Sequence, residues 1–363
     1  MWVQQVHHKS FWNNLSKPFF AMAPMADVTD VAFRALVAKR GSPDIFWTEF
    51  VSADGLHALT AAGKNESAQA ARPIQLSFSP APARANPLLR DLQFDPEQGP
   101  IVAQIFSSKP EMIAYATKLV AKLGFDGVDI NMGCPDRSIE KQGAGAAMIK
   151  TPELAVEIIK VAKEASDLPV SVKTRIGYNK EELEVWLPAL LSANPVAITL
   201  HLRTRKEMSL VPAGWELMKK AVEIRNKINP NILLIGNGDV QDLEDAKNKV
   251  AEFGCDGIMF GRAMFGNPWV FEGLTRFNLK SESSRLNLVS PREHGLEEKL
   301  AALIELAYGF EKITPPKNFA ILKKHIKAFV TGFAGASDLR AKLMSAESAS
   351  ALEAIVAQNK VQP

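Results

Sequence analysis

The two cysteines of this 363-residue chain stand in different surroundings. Cys134 follows an apolar run and opens a loop that continues through Arg137 and Lys141. A cysteine in such a loop can act as a nucleophile or a proton donor, and the nearby cations would favour the thiolate only if they fold close to the sulfur. A purely structural role is the alternative. Cys255 precedes an apolar run, and we predict that it only packs. Two cysteines exclude a disulfide framework and a multi-cysteine zinc site.

Two basic residues stand within or at the end of apolar runs. Lys173 lies inside residues 170–174, and His201 ends residues 197–201. The ammonium of Lys173 either reaches solvent or points into a site, where it would stabilise an anionic ligand such as a reduced flavin. A lone histidine is more often a satisfied core residue, but here Arg203 and Arg205 follow closely.

Glycine-containing segments follow the last two apolar runs, at residues 236–239 (GNGD) and 261–262 (GR). Glycines let backbone N–H groups approach phosphate oxygens, and an arginine adds a bidentate charged contact. Each segment alone is compatible with an ordinary turn. Together they predict a cofactor or substrate that carries a phosphate.

Eight short apolar runs alternate with helical patterns. The predicted strands are residues 19–23, 45–48, 101–105, 127–130, 170–174, 197–201, 232–235 and 257–260, and the predicted helices between them include 111–123, 152–165, 180–191, 215–228 and 242–253. Nearly continuous apolar runs are typical of parallel strands covered by helices. Eight such units in about 270 residues match an α/β fold of the (β/α)8 TIM-barrel type, in which the carboxyl ends of the strands carry the active site. A doubly wound open sheet is the alternative, but the first strand lacks a dinucleotide-binding glycine fingerprint.

Composition changes indicate two domains. Residues 63–100 are rich in Pro, Ala, Asn and Arg and predict an insertion between strands two and three, while the polar run 280–285 resembles a linker. We predict a barrel domain over 1–285 and an all-helical domain over 292–363, with helices at 296–310, 319–331 and 338–344.

The helical tail has a basic stretch, although the whole chain has a net charge of only +3, from 43 Lys and Arg against 40 Asp and Glu. Residues 312–337 contain five lysines and no acidic residue. Lys323, Lys324 and Lys327 fall on one side of a helix, which predicts either a contact with a phosphate backbone or a solvated helix face.

Composition also limits the class of protein. With 47% hydrophobic and 23% charged residues, the chain is typical of a globular protein. The N-terminal segment lacks the apolar core of a signal peptide, and no run reaches the ~18 apolar residues of a membrane span. We therefore expect a cytoplasmic protein without membrane association. Nothing in the sequence indicates an obligatory protein partner.

These motifs resemble those of the tRNA-dihydrouridine synthases. The most specific segment is DINMGCPD (129–136) followed by KQGAGA (141–146), which is similar to the family signature around its catalytic cysteine. The other matching segments are APMADVTD (23–30), KTR (173–175), HLRTR (201–205), GNGD (236–239), FGR (260–262), LKKH (322–325) and LRAKLM (339–344). The resemblance covers nearly the whole chain.

The resemblance implies an FMN-binding barrel and a helical tRNA-binding domain that reduce specific uridines of tRNA to 5,6-dihydrouridine, with NADPH as the reductant. It implies hydride transfer from N5 of FMN and proton transfer from Cys134 to the C5=C6 bond. The implied cofactor-binding residues are Pro24, Met25, Ala26, Gln104, Lys173, His201, Asn237, Gly238, Asp239, Gly261 and Arg262. The implied substrate-binding residues are Asn131, Arg175, Arg203, Lys323, Lys324 and Lys327.

Two segments depart from the family pattern. Leu202 follows His201 where the family usually has glycine, and MSLVP (208–212) replaces a polar, glycine-containing stretch. These departures concern the substrate site rather than the chemistry. Two other functions are considered: an FMN barrel oxidoreductase acting on a small free pyrimidine, as dihydroorotate dehydrogenase does, and a non-catalytic RNA-binding protein. The basic tail argues against the first, and Cys134 and Lys173 argue against the second.

Overall fold

Eight parallel strands form one sheet in the computed structural model, which describes residues 10–61, 87–274 and 292–359. The strands are β1 (Phe19–Met22), β2 (Phe46–Ser52), β3 (Ile101–Phe106), β4 (Gly127–Met132), β5 (Val170–Arg175), β6 (Ala197–His201), β7 (Leu233–Asn237) and β8 (Gly257–Phe260). All eight predicted strands are confirmed, with boundaries that shift by at most a few residues.

The strand order is β1-β8-β7-β6-β5-β4-β3-β2. The first and second strands also meet through a parallel bridge between Ala21 and Ile45, and Met22 donates its backbone N–H to the Ile45 carbonyl at 3.0 Å. This order is consistent with a (β/α)8 barrel. A doubly wound sheet is excluded because its first strand lies inside the sheet rather than beside the last one.

Helices connect the strands and cover the sheet. They are α1 (Val31–Arg40), α2 (Ala53–Ala61), α3 (Pro87–Asp91), α4 (Pro110–Lys122), α5 (Arg137–Glu140), α6 (Pro152–Ala165), α7 (Leu183–Ser192), α8 (Glu216–Ile228) and α9 (Leu243–Phe253). In α6, Pro152 occupies the first turn, where its missing N–H costs nothing, and Ala155, Ile158, Ile159 and Ala162 form its buried stripe.

Alternate residues of each strand face opposite sides of the sheet. In β1, Phe19 and Ala21 pack inside with residues such as Trp47 and Met259, whereas Phe20 and Met22 pack outward against the helices. The side chains inside the sheet fill its centre. Ligands therefore have access only at its ends.

The C-terminal part of the chain is helical, with α10 (Leu296–Glu311), α11 (Lys323–Phe329), α12 (Ala336–Leu343) and α13 (Ala349–Gln358). A 3-10 turn at Phe319–Leu322 precedes α11, so the single helix predicted over 319–331 is divided, and α13 was not predicted. Helix α10 packs on α1 so closely that a Cβ atom on Gly309 would lie 3.4 Å from Cβ of Ala32. Glu305 of α10 pairs with Lys39 at 2.8 Å and with Arg40 at 2.6 Å.

The predicted linker 280–285 and residues 63–86 of the predicted insertion lie outside the described residues. The remainder of that insertion contains α3 and a 3-10 turn at Pro96–Gln98. Within the described residues, no helix is long and apolar enough to cross a membrane.

Candidate active site

A cleft of about 250 Å³ opens at the carboxyl ends of the strands. The predicted residues that line it are Pro24, Met25, Lys173, His201, Arg203, Asn237, Gly238, Asp239, Gly261 and Arg262. Ala23, Ser209, Val240 and Met259 complete the lining and were not predicted. The remaining predicted residues, including Cys134, lie beyond these walls. The common position of the polar residues follows from the barrel rule, because each of them ends or follows a strand.

Cys134 is held by its neighbours through the backbone. Its N–H donates to Oδ1 of Asn131 at 2.9 Å, and its carbonyl accepts from the N–H of Ala146 at 2.9 Å. Gly145 makes this approach possible, because its φ is +61° and a Cβ atom there would lie 2.7 Å from the Cys134 carbonyl oxygen.

Burial raises the pKa of the Cys134 thiol, although the cations of Arg175 and Lys173 act in the opposite direction. The sequence left the ionisation of this cysteine dependent on whether cations fold nearby. In the structure the cations that act on the thiol are Arg175 and Lys173, and burial has a larger effect on its pKa than they have. The thiol is therefore protonated at neutral pH and can donate a proton.

A buried chain of hydrogen bonds supports Asn131. Its Nδ2 donates to Oε1 of Gln104 at 2.9 Å, and Nε2 of Gln104 donates to Oδ2 of Asp129 at 2.7 Å. Ser171 donates to the other oxygen of Asp129 at 2.6 Å. Burial raises the pKa of Asp129 to about 6, and the hydrogen bonds oppose that shift.

Asp129 was not predicted as a site residue. The signal was present, since a carboxyl group inside an apolar strand must find a partner. The network fixes the side-chain amide of Asn131 and, through it, the backbone of Cys134.

Lys173 enters the cleft from β5. Its Nζ donates to Oδ1 of Asn237 at 3.1 Å, and Nδ2 of Asn237 donates to the Met259 carbonyl at 2.8 Å. Burial lowers the pKa of Lys173 to about 8, and the charge of Arg175 adds to this effect. The ammonium thus faces a neutral amide, which favours an anionic ligand.

His201 lies beside Lys173 at the end of β6, with Nε2 3.2 Å from Nη1 of Arg203. Burial and the surrounding cations hold its pKa well below the ordinary value. The imidazole is therefore neutral and offers hydrogen bonds rather than charge.

The glycine after β8 exposes its backbone to the cleft, whereas Gly238 after β7 is buried. A Cβ atom on Gly261 would meet only Sδ of Met25, at 3.9 Å, so a ligand can approach this backbone closely. Gly238 has a φ of +129°, which side chains rarely adopt. Asp239 pairs with Arg203 at 2.5 Å and also with Arg262. Burial alone would raise the pKa of Asp239, but the two arginines lower it.

Arg175 is buried and donates to three backbone carbonyls. Nε reaches the Gly133 oxygen at 2.8 Å, and Nη1 reaches the Thr204 and Met208 oxygens at 3.1 and 2.9 Å. Burial lowers its pKa to about 10, so it remains charged at neutral pH. The structure thus places this predicted substrate-binding residue between the Cys134 loop and the loop after β6, and substrate contact remains a prediction.

The tail lysines occupy different environments. Lys324 pairs with Asp27 at 2.9 Å, in the loop that follows β1. Lys327 is exposed and borders a shallow depression with Ser337 and Arg340. Lys323 is half-buried. Contact of these lysines with nucleic acid remains a prediction.

Lys317 was counted among the basic tail residues but is buried, with a side chain 2% exposed. Its Nζ lies 2.5 Å from Glu49, 3.2 Å from Asp91 and 4.0 Å from Asp30. Sequence reasoning missed this cluster, because its carboxylates come from β2, α3 and the start of α1.

Residues 21–362 match the family model described as Dihydrouridine synthase (Dus). The chain belongs to the dihydrouridine synthase family, an oxidoreductase family that is flavin-dependent in general.

Curated relatives cover almost the entire chain. A probable tRNA-dihydrouridine synthase of Staphylococcus aureus (strain MRSA252) is 36% identical over 98% of this chain and 97% of its own length. One from Staphylococcus epidermidis (strain ATCC 35984) is 38% identical over 94% and 93%. The probable tRNA-dihydrouridine synthase 2 of Bacillus subtilis (strain 168) is 36% identical over 96% of each chain.

A solved structure of 2-naphthoyl-CoA reductase with 2-naphthoyl-CoA has a similar fold, with a TM-score of 0.50 and 12% identity. The match covers 72% of this chain and about half (52%) of that one. At this identity the likeness concerns the fold alone.

Proposed function

We propose that this protein reduces the C5=C6 bond of uridine in tRNA to give 5,6-dihydrouridine, with FMN as its flavin and NADPH as the reductant. One observation carries the proposal. A thiol that burial keeps protonated lies at the same end of the sheet as a cationic cleft to which the backbone of Gly261 is open. The names of the curated relatives support tRNA as the substrate.

The cleft fits FMN. Gly238, Gly261 and Arg262 would hold the phosphate, since the Gly261 backbone is open to the cleft and Arg262 is 63% exposed. Pro24, Met25 and the adjoining Ala26 would lie against the ring, with Lys173, His201 and Asn237 beside it. When bound and reduced, the flavin supplies the hydride that the C6 position accepts.

Contact of Gln104 with the ring is also part of this proposal. Both ends of its amide have protein partners, Asp129 and Asn131. The second N–H of the amide could serve a ligand.

Cys134 donates the proton at C5. Its raised pKa keeps the proton on sulfur until the carbon becomes basic. The thiolate that remains is then stabilised by the Arg175 guanidinium and the Lys173 ammonium. Asn131 maintains the position of the thiol through its hydrogen bond to the Cys134 N–H and can offer its remaining amide proton to the uracil.

The two-domain prediction gives the tRNA a separate binding surface. Residues 1–285 form the closed catalytic barrel and residues 292–363 form the helical tRNA-binding domain, where Lys323, Lys324 and Lys327 contact the backbone. A uridine must leave its stack in folded RNA to reach the cleft, so the RNA needs contacts away from the reacting base.

Mass spectrometry of nucleosides tests this function. Unmodified tRNA incubated with the protein, FMN and NADPH should gain about two mass units on uridine, for the two hydrogens added. The variant Cys134→Ala should bind FMN and be reduced by NADPH but form at least about 100-fold less product. Free uridine serves as the control substrate. Product from free uridine but not from tRNA would contradict the proposal.

A further inference from the structure

The loop after β6 presents apolar side chains to solvent at the edge of the cleft. This rim loop, residues 205–211, contains Met208, Leu210 and Val211, which are 38%, 85% and 39% exposed. Leu210 is the most exposed large hydrophobic side chain of the described residues. The segment coincides with the sequence departure at 208–212. Such a cluster beside a binding cleft marks a contact surface for a ligand or partner.

The rim loop is held in place by three arginines. Arg175 donates to the Met208 carbonyl at 2.9 Å, and Nε of Arg203 donates to the Val211 carbonyl at 2.6 Å. Nε of Arg205 lies 2.8 and 2.9 Å from the two carboxylate oxygens of Glu140 in α5.

The backbone of the rim loop is also strained. Met208 has a φ of +56°, in the left-handed region that favours glycine. A strained backbone fixed by two buried arginines and one partly exposed arginine, with its apolar side chains in water, is costly for the free protein and is typical of functional sites.

The rim loop is continuous with the cleft and with the Cys134 loop. Ser209 lines the cleft, and Arg203 contacts both the rim loop and Asp239. Arg175 connects the rim loop to the Gly133 carbonyl, one residue before Cys134. Lys206 lies in the rim loop and Arg262 lines the cleft, and both side chains are exposed. Their positive charge suits the phosphates of RNA.

We propose that Leu210, flanked by Met208 and Val211, packs against an unstacked nucleobase of the RNA next to the target uridine. This inference rests on the proposed function and specifies how its substrate is held. When a base leaves a stack, its neighbour exposes a flat apolar face, and proteins cover such faces with apolar side chains. Arg203 and Arg205 are neutralised by Asp239 and Glu140. A nucleobase still fits this rim better than an apolar protein face does, because the exposed cations of Lys206 and Arg262 can contact the phosphates beside the base.

The test compares two substitutions of the same type. Leu210→Gln should weaken the binding of unmodified tRNA about tenfold, a part of the free energy of burying a leucine. Because no phosphate contact is lost, the slope of log K against log salt should not change. Ile228→Gln is the matched control, since Ile228 is 46% exposed at the end of α8, which leads to the start of β7 at the opposite end of the sheet. It should bind tRNA as the unsubstituted protein does.

A second variant tests whether an apolar side chain at position 210 is what supports tRNA binding. Leu210→Phe keeps an apolar surface and should bind at least as tightly as the unsubstituted protein. Equal affinity of Leu210→Gln and the unsubstituted protein would overturn the inference, and so would a change of oligomeric state in sedimentation instead of a change in RNA binding. If the unsubstituted protein neither binds tRNA nor modifies it, the proposed function fails as well. If only the inference about the rim loop fails, the unsubstituted protein still forms dihydrouridine in tRNA.

Discussion

Lys173 lines the cleft and Lys317 of the tail is buried, and the two ammonium groups have opposite partners. Lys173 donates to the neutral amide of Asn237, and burial lowers its pKa to about 8. Burial would also lower the pKa of Lys317, but the carboxylates of Glu49, Asp30 and Asp91 outweigh it and raise that pKa. Lys173 forms no ion pair among the described residues, although the charge of Asp129 acts on it, and such a cation is suited to an anionic ligand. Lys317 is paired with carboxylates and joins two parts of the fold.

The largest change in the free energy of unfolding is expected for a substitution of Lys317. Lys317→Met leaves the buried carboxylate of Glu49 unpaired and should lower the free energy of unfolding by about 3–5 kcal/mol. Urea unfolding followed by circular dichroism measures this loss. Glu49→Gln combined with Lys317→Met should recover part of it, because the combination removes the carboxylate nearest to Lys317 and leaves only the more distant Asp30 and Asp91 without this cation. Additive losses in the two single variants and the double variant would mean that the cluster does not act as a pair.

Lys173→Met should have the opposite effect on stability. It removes a cation that burial penalises and that forms no ion pair among the described residues, so it should leave the free energy of unfolding unchanged or raise it by about 1 kcal/mol. FMN should be retained less well by this variant. If Lys173→Met lowered the free energy of unfolding and left FMN retention unchanged, Lys173 would be a structural residue like Lys317, and the contrast between the two lysines would be wrong.

The same lysine predicts a pH dependence of FMN binding. Its pKa is lowered to about 8, so the charged form predominates below that pH and is lost above it. Affinity of the flavin-free protein for FMN should change little below about pH 7, be roughly halved at pH 8 and then fall by up to about tenfold per pH unit. Fluorescence quenching of FMN measures this. Lys173→Met should have a flat profile over the same interval, and a sloping profile would assign the titration to another group.

The smallest effects are expected for the tail lysines. Lys327 is exposed, whereas Lys324 already pairs with Asp27. Lys327→Gln should weaken tRNA binding by about 0.5–1 kcal/mol and reduce the salt slope by nearly one unit. Lys324→Gln should change the slope less, since its charge is partly compensated. Filter binding over a salt series separates the two, and equal slopes would contradict the distinction.

Sequence reasoning predicted position where position follows from the strands. Lys173 lies inside an apolar run and Gly261 follows one, and the structure places both at the cleft, while their roles in binding stay predictions. Their partners depend on neighbouring strands. The pairing of Lys173 with Asn237 joins residues 64 positions apart, so the run around Lys173 could not predict it.

The buried cluster shows the opposite case. Lys317 has the same sequence context as the exposed tail lysines, and only folding against Glu49 and Asp91 distinguishes it. Arg175 is similar, because its three carbonyl acceptors come from two separate loops. The local sequence pattern predicts which charged residues lie at the end of a strand. It does not predict which groups from distant parts of the chain pair with them.

The Lys317 cluster also limits how far the tail can be treated as an exchangeable module. The loop that lines the cleft at Pro24 and Met25 continues to Asp27, whose N–H donates to Glu49, the principal partner of Lys317. A chimera that takes its tail from another member of the family must therefore also inherit carboxylates at positions 30, 49 and 91. Without them, a transplanted lysine is buried beside an incomplete set of charges, and the cofactor-side loop loses its support.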